Sequence, residues 1–147
     1  MRDLPRKLSA DALADLFGGR TRLTEILADR ENPLREARSV LRELPEEERI
    51  EALNAHARIG ASGLSGRSAS EQAGDTDPSV LARLEALNEA YEERFGFRFL
   101  VFVNRRTKAD IVPVLEKRLE RTRAEEFETA LDELVAIAED RWRRPAT

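Results

Sequence analysis

The sequence contains no cysteine, and its 147 residues include one histidine, His56. Without cysteine the chain can form neither a disulfide framework nor a thiolate metal site, and with one histidine we expect no bound metal. Aromatic residues make up only 5% of the chain, so aliphatic side chains must fill most of the core. No apolar run approaches the roughly 18 residues of a membrane helix, and the N-terminus lacks the apolar region of a signal peptide.

The charge balance is nearly even, with 25 basic and 29 acidic residues and a net charge of −4. A nucleic-acid-binding protein would present an excess of basic residues. The length suits one domain with a sizeable core. We therefore expect a single cytoplasmic domain over residues 1–147, with loose ends at 1–7 and 143–147 and with neither a nucleic-acid nor a membrane partner.

Apolar residues recur at helical spacing along most of the chain. Capping residues, glycines and prolines divide the pattern into segments, at Ser9, Gly18–Gly19, Asn32–Pro33, Pro45, Asp77–Pro78, Gly96, Thr107 and Thr122-x-x-Glu125. The only strand-like stretch is FRFLVFV, residues 97–103, which has no partner with which to form a sheet. These patterns predict an all-α bundle of about seven helices with one short extended segment.

His56 follows a helical pattern and precedes a glycine-rich loop, residues 57–67. Imidazole is the side chain best suited to proton transfer near neutral pH. A position near a helix C-terminus predicts a raised pKa and a resident proton, because the helix dipole favours cations there. The alternative is an ordinary histidine that makes a helix-end contact.

Two further groups carry both a functional and a structural interpretation. Ser68-x-x-Glu71 has the pattern of a capping box, yet Glu71 could instead orient His56, and Gln72 could bind a urea-like or amide substrate. Arg141 continues the apolar stripe of the last helix, where a buried guanidinium would need an anionic partner such as a substrate carboxylate. The pattern slightly favours the alternative that Arg141 faces water.

Other motifs suggest only structure. The glycines of residues 60–68 lack the spacing and the lysine of a phosphate-binding loop. Arg105 and Arg106 are interpreted as part of an ordinary solvated turn. Tyr91 and Trp142 are expected to pack in the protein and not to serve as stacking platforms.

Several segments together resemble the decarboxylases of 2-oxo-4-hydroxy-4-carboxy-5-ureidoimidazoline. They are LNAHARIG at 53–60, Ser68-x-x-Glu71-Gln72-x-Gly74, LNxxYxxRFGFxF at 87–99, the helical segment 108–119 and Ile137-Ala138-x-x-Arg141. The resemblance covers about residues 10–142. It implies an all-α, often dimeric enzyme of urate breakdown that acts after urate oxidase and hydroxyisourate hydrolase. The implied product is (S)-allantoin, formed without a metal or an organic cofactor from a small ureidoimidazoline substrate.

The resemblance also implies roles for individual residues. Two are catalytic and five bind substrate: His56 and Glu71 in the first group, and Ser68, Gln72, Arg141, Phe102 and Val103 in the second. The chain departs from the family at Ala57, where proline is usual, and at residues 18–21, where a Pro-Trp segment is usual. These departures leave open a related lyase that acts on another ureido acid. A non-catalytic helical interaction module is the other alternative.

Overall fold

The computed structural model describes residues 3–60 and 77–144. Within these ranges the chain forms helices and no β-strand. The helices are α1 (Ala10–Phe17), α2 (Arg22–Ala28), α3 (Pro33–Glu43), α4 (Glu46–Asn54), α5 (Pro78–Phe95), α6 (Lys108–Arg118) and α7 (Arg123–Arg143). The predicted all-α class is confirmed. None of these helices combines the length and the apolar character required to cross a bilayer.

The chain divides into two compact units. The first unit combines Met1–His56 with Leu131–Thr147, and the second unit is Ala57–Ala130. Helix α7 therefore begins in the second unit and ends in the first. A single domain over residues 1–147 stays a prediction.

Helix α2 is central to the first unit, since it packs against α1, α3 and α4. The core of this unit is almost entirely aliphatic, as the low aromatic content predicts. Its fully buried side chains include Leu13, Leu23, Leu27, Leu34, Leu41, Leu53 and Leu134. The predicted stripe of α7 is buried at all six of its positions, Phe127, Ala130, Leu131, Leu134, Ile137 and Ala138.

The helix ends in the first unit follow the predicted signals with one exception. The Ser9 hydroxyl accepts from the Ala12 N–H at 3.1 Å and begins α1, and Gly18 ends α1 in the left-handed region at φ 85°. Pro33 occupies the first turn of α3, but the expected side-chain cap from Asn32 is wrong. Asn32 itself adopts a left-handed conformation at φ 53° and makes no capping hydrogen bond with its side chain.

The beginning of the described chain makes two hydrogen bonds within the first unit, and loose ends at residues 1–7 and 143–147 stay a prediction. The Trp142 indole N–H donates to the Asp3 carbonyl at 2.6 Å. The Asn32 N–H donates to the Arg6 carbonyl at 2.7 Å. These two bonds attach the beginning of the described chain to α7 and to the start of α3.

In the second unit, α5 packs against α6 and the segment 97–103 runs without regular secondary structure. This is the extended segment that the isolated strand-like pattern predicts. Phe97, Phe99 and Leu100 are buried, and the Tyr91 ring lies 5.3 Å from that of Phe99 and 4.6 Å from that of Phe95 between centroids. The packing role expected of Tyr91 is confirmed, and these aromatic contacts anchor the segment against α5.

Candidate functional site

His56 lies just beyond the end of α4. Helix α4 ends at Asn54 with Ala55 as its C-cap, and the His56 N–H donates to the Leu53 carbonyl at 3.4 Å. Residue His56 is only 5% exposed. His56 therefore follows the helix and its C-cap, and it is buried at this position.

Burial and, to a smaller extent, the positive charge of Arg141 lower the pKa of His56 to about 3. The expectation that the helix C-terminus raises this pKa is therefore wrong. Desolvation disfavours the charged imidazolium more strongly than the partial charge of a helix end favours it. At neutral pH the imidazole of the resting protein is therefore uncharged.

Arg141 is buried on α7, with 4% of the residue exposed. Its Nη1 donates to the carbonyls of Asp15 at 3.2 Å and Leu16 at 3.5 Å. Both carbonyls belong to the last turn of α1, where the helix dipole favours a cation. The interpretation that Arg141 faces water is wrong, and the first unit holds Arg141 within electrostatic range of His56.

The other predicted site residues divide between two parts of the chain. Ser68, Glu71 and Gln72 lie outside the described residues, so both interpretations of Ser68-x-x-Glu71 stay predictions. Phe102 and Val103 are half-buried at the end of the extended segment in the second unit.

The sequence indicates Arg106 only as part of a solvated turn, whereas in the structure its side chain binds the extended segment. Its Nη2 donates to the Phe102 carbonyl at 2.6 Å, and its Nε donates to the Val103 carbonyl at 3.0 Å. The preceding residues, Asn104 and Arg105, both have positive φ, at 49° and 66°. A solvated turn is thus present, but the guanidinium of Arg106 fixes the backbone of the two residues that the resemblance places against substrate.

A buried charged cluster holds the same extended segment at an earlier residue, Leu100. Glu126 is completely buried and accepts from the Tyr91 hydroxyl at 2.5 Å, from Arg118 Nε at 2.8 Å and from Arg121 Nη1 at 2.8 Å. Arg118 Nη1 also donates to the Leu100 carbonyl at 2.8 Å. Burial and the hydrogen bond to Glu126 raise the pKa of Tyr91 above its usual range, so the phenol remains a donor.

Glu126 could have been found from the sequence. It precedes Ala130 by four residues and therefore extends the buried stripe of α7 by one turn. As for possible metal ligands, no group of three or more His, Cys, Asp or Glu side chains suited to a metal ion occurs in residues 3–60 and 77–144.

Comparison with known proteins gives the family. The model of the OHCU decarboxylase family matches residues 2–143. The chain is 31% identical over 148 residues to the 2-oxo-4-hydroxy-4-carboxy-5-ureidoimidazoline decarboxylase of Haloferax volcanii, an alignment that covers 90% of this chain and 88% of that protein. It is 33% identical over 109 residues to the uric acid degradation bifunctional protein PucL of Bacillus subtilis, covering 71% of this chain and 22% of PucL.

A solved structure agrees with these relatives. The crystal structure of OHCU decarboxylase in the presence of (S)-allantoin matches with a TM-score of 0.72 at 25% identity, covering 83% of this chain and 88% of that one. The shared architecture is that of an all-α decarboxylase. The chain belongs to the OHCU decarboxylase family, in which OHCU stands for 2-oxo-4-hydroxy-4-carboxy-5-ureidoimidazoline.

Proposed function

We propose that this carboxy-lyase converts OHCU into (S)-allantoin during urate degradation, without a cofactor. The observation that carries the proposal is the family match over residues 2–143, which includes a buried histidine and a buried arginine, His56 and Arg141. A proton acceptor and an anion-binding group in the same unit suit a substrate that loses a carboxylate and gains a proton.

The reaction requires little covalent chemistry from the protein. The bond between the ring carbon and the carboxylate breaks, carbon dioxide leaves, and the electron pair moves into the conjugated C=N bond of the substrate. One proton then returns to a single face and sets the configuration of the product. The protein must orient the substrate, for which positioning can supply several orders of magnitude in rate, and it must manage that proton, which contributes about 10²–10⁴-fold.

Arg141 is proposed to bind a substrate carboxylate. A guanidinium has five N–H donors in a planar fork, so it can bind the carbonyls of Asp15 and Leu16 and an anion at the same time. Its burial strengthens the attraction to an anion, because water does not screen it. The contacts to α1 hold the fork in place before substrate arrives.

His56 is proposed to act as the proton-handling group, with Glu71 orienting its imidazole. An anionic substrate at Arg141 would offset one of the two causes that lower the pKa of His56. The imidazole would then become more basic when substrate binds. Ser68 and Gln72 are proposed to bind the ureido part of the substrate, and Phe102 and Val103 to contact it from the extended segment.

Circular dichroism of freshly generated OHCU tests the proposal. Wild-type protein is expected to speed the appearance of the single-handed allantoin signal, whereas His56→Ala should abolish the acceleration and leave helicity unchanged. Asn54→Ala, an exposed change at the end of the same helix, is the matched control and should remain active. An unchanged rate with wild-type protein would contradict the proposed function.

A homodimer in the cytoplasm is also proposed, on the strength of the family resemblance. Light scattering after size exclusion should give a mass of twice 16.7 kDa. A mass that stays at one chain across the working concentrations of the enzyme would contradict the dimer.

A further inference from the structure

Gly18 is the C-cap of α1 and adopts the left-handed region at φ 85°. Residues with a side chain rarely adopt this conformation, which glycine tolerates without steric cost. The sequence alone indicates only that a helix stops here. In the structure the glycine also lies directly against the buried histidine.

The space around Gly18 is tighter than a side chain ordinarily occupies. A Cβ atom added at Gly18 would lie 3.1 Å from His56 Nδ1, 3.2 Å from His56 Cγ and 3.1 Å from the Ala55 carbonyl oxygen. The carbonyl belongs to the backbone at the end of α4 and cannot rotate away as a flexible side chain would. The imidazole is itself buried, so a methyl group at this position must displace the ring, the end of α4 or the end of α1 by a few tenths of an ångström.

The same helix end also holds the arginine of the proposed site. The carbonyls of Asp15 and Leu16 accept from Arg141 Nη1, and Gly18 follows them at the cap. The last turn of α1 thus contacts both Arg141 and His56. A side chain at Gly18 would therefore change the position of His56 relative to the turn that binds Arg141.

We propose that Gly18 is a positioning residue, in which the absence of a side chain at a left-handed helix cap sets where the His56 imidazole lies. Its effect on catalysis rests on the proposed function, since it acts only through His56. A shift of a catalytic group by about 1 Å can lower a rate by about 10²-fold, so a displacement of His56 by a few tenths of an ångström should lower it by less.

Gly96 provides a matched control. It is the C-cap of α5 with φ 81°, and a Cβ atom added there meets nothing within 4 Å. Gly18→Ala and Gly96→Ala therefore introduce the same methyl group into the same strained backbone conformation. Only the first variant places that methyl group against an imidazole.

The experiment measures kcat, KM and the imidazole resonances of the full-length protein in both variants. Because His56 is the sole histidine of the chain, its side-chain nitrogen and carbon-bound proton signals are assigned without ambiguity. Gly18→Ala is expected to lower kcat measurably but by less than about 10²-fold, the cost of a catalytic group displaced by a full ångström, and to shift the His56 resonances and pKa. Gly96→Ala should leave kcat and the His56 resonances at their wild-type values while lowering the melting temperature.

Gly18→Asn separates backbone strain from the contact with His56. Asparagine tolerates the left-handed region better than alanine, but its Cβ atom meets the same neighbours. It should fold more stably than Gly18→Ala and still shift the His56 resonances. Wild-type His56 resonances in both Gly18 variants would overturn the proposal, as would an equal loss of kcat in Gly18→Ala and Gly96→Ala. If wild-type protein fails to decarboxylate OHCU, the proposed function falls, and the resonances still decide the role of Gly18.

Discussion

The fixed charge of Arg141 acts on His56 within the first unit and helps to keep the imidazole neutral. Both side chains are buried, so little solvent screens the interaction. Burial alone would already disfavour a protonated His56. The pairing of a permanent cation with a neutral imidazole separates the two tasks of the proposed site, namely anion binding and proton acceptance.

The first prediction concerns removal of the Arg141 charge. Arg141→Gln should raise the pKa of His56 above about 3, yet leave it below the value of an exposed histidine, because burial is the larger cause. It should also lower kcat/KM by about 10- to 100-fold, since a hydrogen bond to a charged group contributes about 1.5–3 kcal/mol. NMR titration of the single histidine measures the pKa. Arg144→Gln, an exposed change one residue beyond the end of α7, is the control and should change neither quantity.

The second prediction is a pH dependence of stability. His56 has a pKa of about 3 in the folded protein, whereas the ordinary pKa of histidine is 6.5, so between these values the unfolded chain binds a proton that the folded chain does not. Stability should therefore be greatest above the upper value and fall as the pH drops, by up to about 1.4 kcal/mol per pH unit. Urea unfolding of wild type and His56→Gln between about pH 7 and about pH 5 isolates this contribution. If the unfolding free energies of the two proteins changed equally with pH, the prediction would be contradicted.

The third prediction concerns the buried cluster around Glu126. Glu126→Gln keeps the shape of the side chain but leaves Arg118 as a buried cation without its counter-charge, at a cost of about 3–5 kcal/mol. The matched control is Glu116→Gln in the same unit, where the partner is Arg83 at 2.8 Å and both side chains are about half exposed. That pair should contribute about 0–1 kcal/mol. Urea unfolding of both variants measures the difference, and equal losses would mean that the Glu126 cluster adds no special stability.

The sequence predicts the helices well because their ends carry local signals. These signals act through hydrogen bonds or backbone conformations within a few residues. They are the cap at Ser9, the left-handed glycines Gly18 and Gly96, and the capping boxes that begin at Thr107 and Thr122. The side-chain hydrogen bond expected of Asn32 is not formed, because the backbone of Asn32 adopts a left-handed conformation that the sequence does not reveal.

The chemistry of the site depends on contacts that are distant in sequence. The sequence places Arg141 on the apolar stripe of α7, but its partners at Asp15 and Leu16 are more than a hundred residues away. The direction in which the pKa of His56 shifts depends on how deeply the ring is buried, and helix periodicity does not predict that depth. The closeness of Gly18 to that ring is likewise a tertiary contact, so the sequence indicates the glycine only as a helix terminator.

The fourth prediction concerns Arg106, whose guanidinium donates to the carbonyls of Phe102 and Val103. If these two residues contact substrate as proposed, Arg106→Ala should loosen the segment and raise KM by about tenfold, equivalent to about 1.4 kcal/mol of binding. The value of kcat should change little, because the lost interaction affects the ground state and the transition state alike. Arg105→Ala removes the same charge from the neighbouring exposed position and should leave KM unchanged. Steady-state kinetics on freshly generated OHCU decides the point. A fall in kcat at constant KM would show that Arg106 acts on the chemical step, and equal effects of the two variants would show that only the local charge matters.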